Sequence, residues 1–346
     1  MLLDLSGLPL AALVAIFAGC ALAIAIAGTR LARVADTLAD RTGMGEIIAG
    51  AVFVGGSTSL PGIITSMTTA AEDHPGLAIG NAVGGLTAQT AFLAIADLAY
   101  RRTNLEHAAA SVTGLAQATL LVTMLTIPLI AMATPELTFW HVHPATIVLF
   151  AMYAFGLRLL ARIKAEPMWS PVATRETSNE DEQAVEAPCD RRKTPRLWRT
   201  FAGLAAVTAV AGYGIGEASV ALVAVTGLSE TAVGTVFAAI ANSLPELVTA
   251  IAAVRIGAVN LAVGDIIGGN AFEVLFLAAG DLLYTGGSIY HAFTPDDVFT
   301  AALAILMTGV LLLGMLRRER QGIANIGWES ALVLALYAGS VAVILR

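Results

Sequence analysis

The chain has 346 residues, 57% hydrophobic and only 13% charged, with a mean hydropathy of +0.78. A soluble domain carries about 25% charge, so this composition argues against a soluble globular enzyme and predicts a polytopic membrane protein. The formal net charge of −7, with no basic patch interleaved with aromatics, points away from nucleic acid as a partner.

A spanning helix needs about 20 apolar residues. Ten such segments are predicted, near 8–28, 45–70, 77–99, 107–133, 143–163, 200–226, 230–254, 259–284, 296–316 and 325–345. The N-terminus, Met1-Leu2-Leu3-Asp4, has no basic n-region and no small-residue cleavage site, so the first segment is expected to be a retained helix. Residues 165–199 are polar, acidic first and then basic. They are expected to form a solvated, disordered linker between an N-terminal five-helix half (1–164) and a C-terminal one (200–346). Cys20 lies in an apolar segment and Cys189 in the linker, and neither a disulfide framework nor a Cys/His metal motif is present. The five histidines fall in predicted loops and are expected to be solvated.

The basic residues fix an orientation. Arg30, Arg33 and Arg41 follow the first segment, Arg101 and Arg102 the third, and Arg255 the seventh. Arg317, Arg318 and Arg320 follow the ninth, and the linker and its flanks hold nearly all the rest. Every Lys and Arg except the terminal Arg346 therefore lies on one side, expected to be the cytoplasm, with both termini on the other.

Sliding the chain against itself by 184 residues lays 46–100 on 230–284 without a gap, and 19 of 55 positions are identical. Ser59-Leu60-Pro61 matches Ser243-Leu244-Pro245, Gly84-Gly85 matches Gly268-Gly269, and Asp97-Leu98 matches Asp281-Leu282. A repeat this clean is a fold-level signal. An odd number of spans separates the copies, so they run in opposite directions through the membrane. The expected fold is all-α and polytopic, with about ten helices as two inverted five-helix repeats, an arrangement typical of secondary transporters.

Two carboxylates, Glu246 and Glu273, sit near the middle of predicted spans, where an unpaired acid costs on the order of 3 kcal/mol. Such residues persist when they face a polar cavity, bind a cation or carry a proton. Each lies close to an expected helix break, at Asn242-Ser243-Leu244-Pro245 and at Gly268-Gly269-Asn270. Pro61 and Pro245 each remove a backbone donor and should free the carbonyls of Ser57 and Ala241. Thr58, Ser59, Asn242 and Ser243 stand beside them, and together these oxygens are hard ligands suited to Na+ or Ca2+. Gly84, Gly85, Gly268 and Gly269 would let the facing helices approach closely. Asp97 and Asp281 are expected to be interfacial charges, with Arg101 a candidate partner for Asp97.

The two repeats resemble the α-repeats of the sodium/calcium exchanger family, within the cation/Ca2+ antiporter superfamily. In that family a G-(T/N)-S-x-P-E type motif on the first helix of each repeat is followed by a G-S-(N)-x-x-(D/N) type motif on the second. Here the second repeat gives Ala241-Asn242-Ser243-Leu244-Pro245-Glu246 and Gly268-Gly269-Asn270-Ala271-Phe272-Glu273. The first gives Ser57-Thr58-Ser59-Leu60-Pro61-Gly62 and Gly84-Gly85-Leu86-Thr87-Ala88-Gln89. The resemblance implies cation binding at Thr58, Ser59, Gln89, Asn242, Ser243, Glu246 and Glu273. The chain departs from the family at Gly62, where the first-repeat glutamate would stand, at Gly85 and Gly269, and by using Glu273 and Gln89. The second repeat is thus expected to supply the charge and the first mainly neutral oxygens.

The expected function is secondary antiport of Ca2+ against Na+ or H+ at a midplane carboxylate site in the cell membrane. The alternatives are Na+/H+ antiport on the same fold, an uncoupled channel, or a non-transporting membrane sensor. The implied partners are the lipid bilayer and small inorganic cations, with no cofactor and no nucleic acid. No Ser-His-Asp, phosphate-loop or HExxH pattern is present to support an enzyme. Oligomeric state is open at this level.

Overall fold

The computed structural model describes residues 5, 7–42, 53, 55–100, 102–172, 174, 177, 194–322 and 326–346. The described residues form helices joined by short turns, with one isolated β-bridge between Phe139 and Val142. In chain order these are α1 (Leu10–Thr42), α2 (Gly55–Thr58), α3 (Leu60–Ala71), α4 (Pro75–Ala99), α5 (Leu105–Ala108), α6 (Val112–Met132) and α7 (Pro144–Ala165). The second half holds α8 (Thr194–Thr226), α9 (Glu230–Ala232), a π-helical turn (Val233–Ala238), α10 (Ala239–Asn242), α11 (Leu244–Ile256), α12 (Val259–Glu273) and α13 (Leu275–Asp281). A 3-10 turn (Ile289–Ala292), α14 (Pro295–Arg317) and α15 (Trp328–Ile344) complete it.

Among the described residues, seven helices are long and apolar enough to cross a membrane, or eight when the bent pair Glu230–Asn242 and Leu244–Ile256 counts as one span. The helical segments follow the expected order, with shifted ends. Helix α1 runs on to Thr42 instead of ending near 28, and the fourth span begins at Val112 after a separate turn, α5. Helix α8 starts at Thr194, inside the stretch read as linker. The disorder expected of residues 178–193 lies outside the described residues, as does Cys189.

Local chemistry explains the helix ends. Ser111 accepts from Gly114 N (2.8 Å) at the start of α6, and Ser229 accepts from Ala232 N (3.1 Å) at α9. Thr294 and Asp297 form a capping box at α14, with Pro295 in its first turn. Gly257, at φ 86°, closes α11 in the left-handed region that favours glycine.

The two repeats form the centre. The apolar stretch of α4 is 83% buried, and that of α12–α13 is 78% buried, against 17% for α1. A helix apolar on all sides belongs inside, and these two do. Helix α4 passes through both main apolar clusters. One joins its C-terminal half to α11, α12, α14 and α15, and the other joins its N-terminal half to α6, α7 and α13. The halves are interleaved, not side by side. Helices α1 and α8 pack lengthwise against each other at the periphery.

The inverted repeat is visible contact by contact. Asp97 accepts from Leu105 N (2.8 Å) and Gly327 N (3.2 Å). Asp281 accepts from Ile289 N (3.1 Å) and His143 N (2.8 Å). Each of these donors is 184 residues from its counterpart. Arg101, the candidate partner of Asp97, lies outside the described residues. Both aspartates are fully buried and so are not the solvated charges expected at helix ends. They satisfy backbone donors at the next turn of their own half and at the first turn of a helix in the other half. The histidines are likewise not simply solvated. His143 and His107 are 5% and 3% exposed, and His74 pairs with Glu230 at 2.6 Å. Burial pushes the His143 imidazole below its usual range.

Gly28 of α1 seats Pro245, where a Cβ would lie 2.5 Å from the ring Cγ, and Gly212 of α8 seats the backbone of Pro61. These pairs are also related by 184 residues. Each peripheral helix therefore supports the break in the opposite half, and Thr65 Oγ1 adds a 2.8 Å bond to the Gly212 carbonyl.

Candidate cation site

The site is built where the two broken helices cross α4 and α12. Ser243 ends α10 and starts α11, and the chain bends there by 45°. Ser59 plays the same part between α2 and α3. Pro61 and Pro245 stand at the second positions of the helices that follow, where no intrahelical donor is needed. The break therefore falls where the Ser-Leu-Pro motif predicts it. The Gly268-Gly269-Asn270 cluster does not break its helix. Helix α12 runs through it and is interrupted four residues later, at Val274, and α4 likewise runs unbroken through Gly84 and Gly85.

These glycines set close approach instead. A Cβ on Gly84 would lie 2.5 Å from Thr235 Cα, and one on Gly85 would lie 2.5 Å from Glu273 Oε2. A Cβ on Gly269 would lie 3.8 Å from Gln89 Oε1 in the mirrored place, and one on Gly268 would lie 3.3 Å from Gln117 Nε2. The α4 backbone thus presses on the π-helical turn and leaves room for a carboxylate.

Glu273 ends α12, and Glu246 sits in the first turn of α11, on the positive side of that helix's dipole. They are 4% and 6% exposed and near enough to interact as charges. Gln89 Nε2 donates to Glu273 Oε1 (2.5 Å) and to Ser243 Oγ (3.2 Å). Thr58 stands beside Glu246, with its hydroxyl donating to the Gly55 carbonyl at 2.9 Å. Ser57 Oγ is bonded to the Phe53 carbonyl at 2.5 Å, and Ala241 is buried within α10. Glu246 Oε1 and Oε2, Glu273 Oε2, Gln89 Oε1 and Ser59 Oγ are buried without a hydrogen-bond partner among the described residues. Buried polar atoms are nearly always satisfied, so this group of oxygens is poised for a ligand that accepts lone pairs.

Asn242 goes elsewhere. Its Nδ2 donates to Asn81 Oδ1 (2.8 Å) and Thr65 Oγ1 (3.0 Å), and Asn81 in turn holds the Gly62 carbonyl and Ser66 Oγ. Gly62 is packed by Phe276. A Cβ there would lie 2.7 Å from Phe276 Cε2, so the ring fills the space where a first-repeat glutamate side chain would begin.

Sequence reasoning missed Asp265. It is exposed along α12, yet it interacts with Glu246 and with Asp36 of α1. Its repeat counterpart is Asn81, so the alignment carried the signal. No set of three His, Cys, Asp or Glu among the described residues converges as a metal site. The donor set is two carboxylates completed by neutral oxygens, which suits a hard cation and not a transition metal.

The comparisons with known proteins agree with this architecture. The family model described as sodium/calcium exchanger protein matches residues 12–160 and again 197–346. Inner membrane protein YrbG of Escherichia coli (strain K12) is 28% identical over 284 residues, 78% of each chain. A structure of the sodium-calcium exchanger NCX_Mj, soaked with 10 mM Na+ and zero Ca2+, superposes with a TM-score of 0.62. It is 18% identical, over 95% of this chain and 98% of that one. The H+/Ca2+ exchanger CAX gives 0.69 at 12% identity, over 96% and 85%. At these identities the structural likeness speaks for the fold alone.

Proposed function

Because the chain belongs to the sodium/calcium exchanger family, we propose that it is a secondary antiporter moving Ca2+ against Na+ or H+ through the site at Glu246 and Glu273. The observation that carries this reading is the group of unpartnered buried oxygens on Glu246, Glu273, Gln89 and Ser59. Two carboxylates neutralise one Ca2+, and the same two hold Na+ ions or protons on the return. Leaving both charges bare in a buried site is costly, so the empty, ionised site is not free to change sides. That requirement enforces exchange. The first repeat contributes neutral oxygens from Thr58, Ser59 and Gln89, with Ser243 completing the set. Asn242 acts through the neighbouring Asn81 network. Asp265 and Asp36 would draw cations toward the site from the linker face. The one-sided basic residues support a cell-membrane orientation with residues 165–199 cytoplasmic and both termini outside.

The test is radiolabelled Ca2+ uptake by the purified protein in proteoliposomes. Uptake is expected only when an outward Na+ or proton gradient is imposed, and the effective gradient names the counter-ion. Ca2+ entry that needs no counter-ion would make the protein a channel. Na+/H+ exchange without Ca2+ movement would leave the fold and remove the proposed substrate.

A further inference from the structure

A second cluster of acids lies at the linker face, away from the site above. Glu106 of α5, Glu329 of α15 and Asp97 at the end of α4 are 2%, 0% and 0% exposed. Asp97 has its backbone donors from Leu105 and Gly327. Asn104 Nδ2 donates to Glu329 Oε1 at 2.6 Å, and Ser330 Oγ donates to Glu106 Oε1 at 3.4 Å. The remaining oxygens, Glu106 Oε2 and Glu329 Oε2, are buried without a donor among the described residues, although the two carboxyl groups are within hydrogen-bonding reach of each other.

The opposite half shows what this arrangement needs. Tyr290 is the repeat counterpart of Glu106, and Thr146 that of Ser330. The Tyr290 hydroxyl bonds Thr146 Oγ1 (2.7 Å), which donates to Asp281 Oδ2 (2.7 Å). A neutral hydroxyl therefore stands there, where Glu106 stands at the linker face. Ala145 occupies the place of Glu329, so that half has no third acid.

Among the described residues, the other charged groups around the cluster do not neutralise it. His107 bonds the Arg318 carbonyl (2.8 Å) and Thr174 (2.9 Å), and the Arg318 guanidinium bonds the backbone of His107 and Val172 and the Thr177 hydroxyl. Arg317 pairs with Glu319 at 3.7 Å, and Arg320 contributes its carbonyl to Thr103 and Asn104. Arg102 is exposed. Glu106 lies between spans, and burial, then the charges of Asp97 and Glu329, push its carboxyl well above the ordinary range.

The geometry points to a proton site at the linker face, in which Glu106 and Glu329 share one proton between their neighbouring carboxyl groups and so tie α5 to α15. With the proton in place, Glu106 is the equivalent of the neutral Tyr290 hydroxyl and both orphaned oxygens are satisfied. When the proton leaves, Asp97, Glu106 and Glu329 hold adjacent buried charges and the tie becomes repulsive. A carboxyl whose folded value is raised adds stability that is complete below its unfolded value and lost as pH rises through the folded one. Alkaline pH at the linker face should therefore loosen the α5–α15 contact.

The test is infrared spectroscopy of the full chain in liposomes over a pH series, paired with thermal unfolding. At neutral pH the wild type should show a protonated-carboxyl C=O component that disappears as pH rises. The same component should be absent from both Glu106→Gln and Glu329→Gln and retained in Glu246→Gln. The unfolding midpoint of the wild type should fall with rising pH, with the slope flattened in both linker-face variants. Spectra and slopes unchanged in both variants would overturn the proposal, and loss in only one would reduce the pair to a single isolated acid and overturn the sharing. Neither readout requires transport, so the outcome is independent of the ions exchanged.

Discussion

Gln89 and Glu273 are the same position in the two repeats, and they hydrogen-bond to each other at 2.5 Å. Equivalent residues touch only on the axis that relates the halves, and Asn270 Nδ2 reaching the carbonyl of its own counterpart Leu86 (3.5 Å) marks a second point on it. The proposed cation site therefore straddles the axis, with its charge on one side.

Removing that charge should remove transport. Glu273→Gln turns the pair into two amides, and Glu246→Gln leaves Glu273 as the one midplane carboxylate. Each should lower Ca2+ uptake more than about tenfold, because carboxylate count sets affinity in an oxygen-ligand site. Counterflow in proteoliposomes measures it, and exchange at the wild-type rate in Glu246→Gln would move the site elsewhere.

Restoring the family glutamate at position 62 should fail alone. The new Cβ meets Phe276 at 2.7 Å, so Gly62→Glu should cost about 1–3 kcal/mol through overpacking. Adding Phe276→Ala should recover part of that loss. Thermal unfolding of the single and double variants in detergent reads the coupling, and simple additivity would separate the two positions.

The glycine seats should be unequal. A Cβ at Gly212 strikes the backbone of Pro61, whereas one at Gly28 strikes a proline ring that can pucker away. Gly212→Ala should therefore lower the unfolding temperature more than Gly28→Ala. Equal losses would mean that the helix break yields as easily as a side chain.

Asp281→Asn should destabilise the protein without touching the cation site. The aspartate accepts from His143 N, Ile289 N and Thr146 Oγ1. An amide replaces one acceptor oxygen with a donor, at a cost of about 1.5–3 kcal/mol for a charge-assisted bond. The expected result is a lower melting temperature with an unchanged apparent Ca2+ affinity in the surviving protein.

Much of this was legible in the sequence because the repeat is nearly intact. The Ser-Leu-Pro motif located both breaks, and the two acids placed in apolar spans are buried near each other. What escaped was set by contacts between distant segments. The π-helical turn at Val233–Ala238 lies where the α4 backbone presses at Gly80 and Gly84, and no local propensity encodes that. The interruption of α12 falls at Val274, not at the conspicuous glycines, because those glycines serve interhelical approach. Asp97, Asp281, His107 and His143 looked like rim residues and are buried, since their partners come from segments more than 100 residues away or from turns whose shape is tertiary. Asp265 escaped because the groups it interacts with, Glu246 and Asp36, come from other helices, α11 and the distant α1.

The crossed glycine seats bear on how the molecule is made. During synthesis the first half enters the membrane before α8 exists, so the break at Ser59–Pro61 has no Gly212 to rest on and Thr65 lacks its distant carbonyl. The packing around that break must wait for the second half to arrive. The two halves expressed as separate chains should mature only together, each serving as the other's template.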